Sequence, residues 1–158
     1  MEISIRNIET QDIDAVIELM REFAKYENLS DYCTITSERL HRAMFTDRGN
    51  VEGLIAFDAD RPIGYALFYR CFSSFRGQQG MYLEDIYVNA GYRGHSVGKD
   101  LLRSLARIAK TRGFERIDFM VLDWNTTAID FYFRHGAVRN EEERHFKFDG
   151  EAFEKLSG

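Results

Sequence analysis

The sequence predicts an α/β (α+β) fold, a mixed central sheet with helices on both faces. Three observations carry that expectation. Apolar residues recur at helical spacing in some segments and in short β-rich runs in others, in the order β α α β β β α β α β β. Two runs, Val51 to Phe57 and Ile63 to Phe72, flank Asp58-Ala59-Asp60-Arg61-Pro62 and read as an antiparallel hairpin around a turn. Farther on, strand, helix and strand follow one another, as a crossover between parallel strands requires.

Ile3 and Ile5 alternate with polar neighbours and predict a short first strand. Thr10 and Asp12 offer a helix start, and Ile13, Val16, Ile17, Met20, Phe23 and Ala24 give the following helix one buried face, to about Tyr26. Glu27 to Thr36 is polar and acidic, and Ser37 opens a weaker helix carrying Leu40, Ala43 and Met44. After the hairpin, Ser73 to Gly80 reads as a loop returning the chain into a strand from Met81 to Val88. A helix from Val97 to Arg112 ends at Gly113, and Arg116 to Leu122 is the next strand. Asn125 caps a helix from Thr126 to His135, closed by Gly136, and Val138 with Arg144 to Phe148 supplies the last strand material.

With 158 residues, 44% of them apolar, the chain predicts a single domain, residues 1–158, with a real core. A net charge of -5 argues against nucleic acid and anionic membrane as partners, because both select basic surfaces. No N-terminal leader and no apolar run of spanning length is recognisable, so the expected location is the cytoplasm. Cys33 and Cys71 read as reduced thiols, and no cysteine or histidine spacing completes a metal site.

Chemistry concentrates in Tyr82 to Lys99. Strict alternation puts Tyr82, Glu84, Ile86 and Val88 on one face and Met81, Leu83, Asp85 and Tyr87 on the other, so Glu84 and Asp85 take opposite sides. Desolvation raises the pKa of whichever carboxyl is enclosed, and a raised carboxyl is a candidate general base. Arg93-Gly94-His95-Ser96-Val97-Gly98-Lys99 then brings backbone freedom, two fixed cations and His95 to the mouth of a helix. The first amides of a helix lack internal partners and sit at its positive end, so a pyrophosphate suits them. Neither a Rossmann fingerprint nor a P-loop is present.

The segment resembles the acetyl-CoA motif of the GCN5-related N-acetyltransferases, Arg/Gln-x-x-Gly-x-Gly/Ala, through Arg93, Gly98 and Ser96, where Ser96 stands in place of the usual glycine. Asn125-Thr126-Thr127-Ala128-Ile129-Asp130-Phe131-Tyr132-Phe133-Arg134-His135-Gly136-Ala137 is similar to the last cofactor motif of that family. Ala24-Lys25-Tyr26-Glu27, Tyr82-Leu83-Glu84-Asp85, Tyr92-Arg93-Gly94, Trp124-Asn125 and Phe146-Lys147 extend the likeness to the diamine (spermidine/spermine) branch, which includes thialysine acetyltransferases.

That resemblance implies direct transfer of acetyl from acetyl-CoA to a small primary amine, with no metal, by a frequently homodimeric enzyme. It implies splayed strands holding acetyl-CoA, Glu84 as base through water and Tyr132 as the acid that protonates the departing thiolate. Backbone near Ile86, Tyr87 and Val88 would hold the thioester and pantetheine arm, the Arg93 to Lys99 loop the pyrophosphate, and Asn125, Ala128 and Tyr132 further cofactor contacts. For a cationic acceptor the candidates are Glu27, Asp31, Glu84 and Asp85, with Tyr26 and Trp124 along an aliphatic spacer; the Glu141 to Glu143 run is a weaker one. Two rivals stand beside this reading: another acceptor, such as an amino acid, an aminoglycoside or a protein N-terminus, and a non-catalytic CoA-binding sensor.

Overall fold

The computed structural model describes residues 1–158, which form two compact units, Met1–Met120 and Val121–Gly158. The first holds β1 (Ile3–Asn7), α1 (Ile13–Tyr26), α2 (Ser37–Phe45), β2 (Glu52–Asp58), β3 (Arg61–Ser73), β4 (Gln78–Val88), α3 (Val97–Thr111) and β5 (Ile117–Asp118). The strands make one sheet in sequence order, antiparallel as far as β4 and parallel between β4 and β5. Helices cover both faces, as the sequence predicts.

Each face owes its cover to the period-two alternation of β2 and β3. Leu54, Ala56, Ala66 and Phe68 point to one side and pack with Val97, Leu101, Leu105 and Ala109, the buried stripe of α3. Ile55, Tyr65 and Leu67 point to the other and pack with Val16, Ile17 and Leu19 of α1 and Leu40 of α2. Burying side chains of this size stabilises by roughly 1.5–3 kcal/mol each, so the two helix stripes fix the sheet between them. Gly53 is required where β2 passes Ile8 and Ala66, because a Cβ there would lie 2.8 Å from the Ala66 carbonyl oxygen.

One irregularity resets the pattern in β4. Leu83 pairs with Phe68 and Asp85 with Leu67, so Glu84 is the extra residue of a β-bulge. Ahead of it Met81 and Leu83 face α3; beyond it Ile86 and Val88 do, while Tyr87 faces α1. The expectation of strict alternation through this strand is therefore corrected. Glu84 and Asp85 do not take opposite faces: the Tyr69 hydroxyl donates to Glu84 (3.4 Å) and the Tyr65 hydroxyl to Asp85 (2.9 Å), and both tyrosines lie on the α1 side of β3.

The crossover strand is shorter than its apolar run suggests. Only Met81 with Ile117 and Tyr82 with Asp118 pair, after which β4 continues to Val88 bonded to β3 alone. In the second unit α4 (Thr126–Arg134) forms as expected, with the Asn125 side chain accepting from the Ala128 amide at 3.2 Å. The strands expected at Val138 and Arg144 to Phe148 do not form, and the chain ends instead in α5 (Gly150–Ser157). Alternation prepares a strand face but supplies no ladder partner, and Val138, Phe146 and Phe148 are exposed.

The start of α1 is held by the buried Asp12. Its carboxylate accepts two hydrogen bonds from Arg6 (2.6 and 2.9 Å) and one from the Glu9 amide (2.7 Å). The hydrogen bonds from Arg6, opposed by burial and helped by the Glu9 amide, hold its pKa below the usual aspartate value. A depressed carboxyl stabilises the fold above its unfolded pKa, and that stability is lost as pH falls through the folded value. Asp12→Ala should cost about 2 kcal/mol at neutral pH, the size of a part-buried charged hydrogen-bond set. Urea titrations should show the gap between wild type and variant closing below about pH 4; a gap that persists unchanged in acid would refute the assignment.

Candidate active site

The bulge gathers carboxylates at the sheet edge near the end of α1. Asp85 is partly buried, and its pKa is pushed up to about 6 by burial, against the lowering effect of the Tyr65 hydrogen bond and with a further upward push from Glu84. Glu27, the residue that ends α1, is raised by burial and then by the charge of Asp85. Glu84 itself is exposed. So the enclosed carboxyl that the sequence leaves open is Asp85, and the exposed one, Glu84, is the better placed for water. The hydroxyl of Tyr69, stacked on Tyr82 at 5.1 Å, is itself pushed up to about 12 by burial and by Glu84, so it stays a donor.

No basic side chain answers these acids. Arg93, the nearest candidate in the following loop, is turned elsewhere: its guanidinium lies 4.3 Å from the centre of the Tyr26 ring and 5.8 Å from that of Tyr87, and its Nε donates to the Val88 carbonyl at 3.3 Å. Tyr26 is thus a platform for Arg93 at the end of α1. Tyr87 and Asn89 are tied to the same helix through Glu22, at 3.3 and 2.8 Å. Asp31 lies in an exposed single turn, and the structure gives it no side-chain bond to the acidic cluster.

Two backbone features adjoin the cluster. Along β4, Leu83 to Val88 pairs with β3 alone; the Asn89 amide bonds the Ile63 carbonyl, so by alternation Tyr87 also turns its backbone toward β3, while the backbone groups of Ile86 and Val88 point away from it. At the mouth of α3 no side chain caps the helix, so the amides that follow Ser96 keep their usual need for a partner. Gly94 has φ +83°, and Ser96 has φ +65°, left-handed backbone that a residue with a Cβ adopts at a cost. His95 and Lys99 are exposed beside them, Val97 is buried beneath, and Gly98 follows in the first turn. An unsatisfied helix start with adjacent cations fits a pyrophosphate group.

In the second unit Asn125 is buried and its oxygen is used in capping α4 through Ala128. Tyr132 is half-buried on α4 with its ring against Phe131 at 5.4 Å, and Trp124 is about half exposed just ahead of the cap.

Residues 13–137 match the family model described as Acetyltransferase (GNAT) family. The chain belongs to the GNAT acetyltransferases. Their activity is N-acetyl transfer from acetyl-CoA, and this chain is an N-acetyltransferase of that type. It is 35% identical to the thialysine N-epsilon-acetyltransferase of Bos taurus over 99% of this chain and 98% of that protein. A thialysine N-epsilon-acetyltransferase of Caenorhabditis elegans is 31% identical, covering 91% and 90%. Among solved structures, an integron cassette protein from V. cholerae superposes with a TM-score of 0.84 at 25% identity, over 99% of this chain and 98% of that one. An aminoglycoside acetyltransferase from an uncultured soil sample, solved with sisomicin, has a TM-score of 0.80 at 19% identity over 94% and 97%, a likeness of fold.

Within the GNAT fold the position of Ser96 becomes intelligible. The family motif has glycine where this chain has serine, and the structure shows a left-handed residue there. Sequence reading missed Tyr65 and Tyr69, the two hydroxyls that meet the acids. A signal did exist, since the apolar residues of β4 switch phase from Met81 and Leu83 to Ile86 and Val88 across Glu84. Ser96→Gly should stabilise the fold by roughly 0.5–1 kcal/mol, the left-handed strain relieved less the added freedom of glycine in the unfolded chain. Chemical denaturation decides it, and a destabilised variant would mean that the serine side chain holds the turn.

Proposed function

We propose that the enzyme acetylates the primary amine of a small cationic acceptor: a polyamine, a diamine, or a thialysine- or lysine-like amine. The observation that carries this reading is the convergence of Glu27, Glu84 and Asp85 with no basic side chain among them, which favours a positively charged ligand. Full-length similarity to thialysine acetyltransferases supports the same class. So does a partial match, 34% over 93% of this chain but 22% of the other, to a human spermidine/spermine N(1)-acetyltransferase-like protein.

Acetyl-CoA supplies an activated acyl carbon and a thiolate leaving group. The mouth of α3, from Arg93 and Gly94 through His95, Ser96, Val97 and Gly98 to Lys99, suits its pyrophosphate, and the open side of β4 at Ile86 and Val88 suits its pantetheine amides. Asn125 and Ala128 serve the second cofactor motif by holding the start of α4. Asp85 and Glu27 hold the charged acceptor, with Asp31, Tyr26 and Trp124 assigned to its spacer or distal charge. An ammonium has no lone pair, so one N–H proton must leave before attack. Exposed Glu84 takes it through water, the N–C bond forms as C–S breaks, Tyr132 gives its proton to the departing sulfur, and the second proton shed by the acylated nitrogen restores the phenol.

Release of free thiol from acetyl-CoA should be fast with spermidine, putrescine, lysine or thialysine and slow with small monoamines. Tyr132→Phe should lower turnover about a hundredfold with acetyl-CoA still bound, the size of a lost general acid. Glu84→Gln should remove the basic group from the pH profile. Reversing the charge at Glu27 should weaken a polyamine far more than a monoamine; equal loss on both, or no release with any cationic amine, would discard the acceptor class.

A further inference from the structure

Among the residues around the acidic cluster, Tyr65 alone is wholly enclosed. Its ring is fixed in the α1-side core beside Tyr87, at 6.4 Å between centres, so the phenol cannot swing away. That phenol donates to Oδ2 of Asp85 at 2.9 Å, and no other side chain or capping amide bonds this carboxylate. No fully buried side-chain oxygen lacks a partner, so the second oxygen of Asp85, which has no hydrogen bond of this kind, is not completely enclosed. The groups that bear on this pair are Glu84 on the same strand, Glu27 at the end of α1 and Cys33 in the loop beyond it, and none is basic. A carboxylate in such surroundings is held by one neutral donor in place of a counter-ion.

We propose that Tyr65 is a positioning residue for acceptor capture: its phenol fixes one oxygen of Asp85 and turns the other toward the acceptor ammonium. The inference rests on the cationic-amine reading above and assigns that site its pH response. Burial drives the Asp85 carboxyl toward its neutral form, and the phenol opposes this by donating to the ionised form. The phenol itself is raised far above its usual range by burial and by Asp85, so it keeps its proton throughout. Protonated Asp85 offers no charge to an ammonium. Acceptor capture should therefore fade below about pH 6, and without the phenol the fade should begin at higher pH.

The conservative variant is Tyr65→Phe, which keeps the ring and deletes the donor. Carbon-13 NMR of the free protein, with the Asp85 carboxyl resonance assigned by its loss in Asp85→Asn, gives the titration directly. The midpoint should lie near 6 in the wild type and rise by about one unit in Tyr65→Phe. With the best amine of the panel, the variant's KM for acceptor should exceed the wild-type value about twofold at pH 7 and approach about tenfold near pH 5, the ratio that a one-unit shift from about 6 gives. Turnover at saturation and the KM for acetyl-CoA should stay within about twofold, and the acceptor defect should shrink toward about pH 9, where Asp85 is ionised in both proteins. Identical titrations, or an acceptor defect of equal size at every pH, would overturn the proposal and leave Tyr65 as core packing. Failure of the acceptor reading shows separately, as a wild type that acetylates no cationic amine, while the NMR titration still decides whether Tyr65 governs Asp85.

Discussion

The bulge at Glu84 is the constraint on which the site depends. Both faces of the sheet are covered, by α3 on one side and by α1 and α2 on the other, so a residue of β4 has few places to go. With strict alternation one of the two adjacent acids would enter the α3 face, whose buried members are all apolar. An ionised carboxylate there has no donor, and the cost is several kcal/mol unless it is neutralised. One inserted residue resolves the conflict. It keeps Met81, Leu83, Ile86 and Val88 together against α3 and delivers both acids to the side where Tyr65 and Tyr69 carry hydroxyls. Bulges of this kind re-aim side chains next to active sites, and here the re-aiming concentrates charge.

Concentration of charge has its own electrostatic logic. Glu27 and Asp85 each raise the proton affinity of their surroundings, and the one arginine of the adjacent loop is spent on the Tyr26 ring and the Val88 carbonyl. That packing leaves the acids unanswered while bracing the end of α1 against the turn that leads into α3. The same contact thus maintains both the negative character of the acidic cluster and the approach to the helix mouth. Acids so arranged attract a cation that approaches them, since like charges held together without a counter-ion focus the field.

Much of the architecture was legible because it is local. The stripe Ile13, Val16, Ile17 announces α1, the Asp58 to Pro62 turn announces the β2–β3 hairpin, and Asn125 announces the cap of α4. What escaped depends on pairing between distant segments. The run Arg116 to Leu122 looks like a full strand, yet only Ile117 and Asp118 find partners, and Arg144 to Phe148 alternates without finding any. For the site, residue types were legible and their directions were not. Glu84 and Asp85 are plain in the sequence, but which one is enclosed depends on a register shift opposite Leu67 and Phe68, and Tyr65 and Tyr69 gain a role only through that shift.

Ser96 shows how such a departure is tolerated. A left-handed serine is costly by roughly 1–2 kcal/mol, and its neighbours must hold it. Val97 is anchored in the α3-side core, Gly94 absorbs the preceding turn at φ +83°, and the Asp100 amide bonds the Ser96 carbonyl at 2.9 Å. The conformation is imposed by the helix behind it and the strand ahead of it, and both are fixed by the same apolar face that the bulge in β4 preserves.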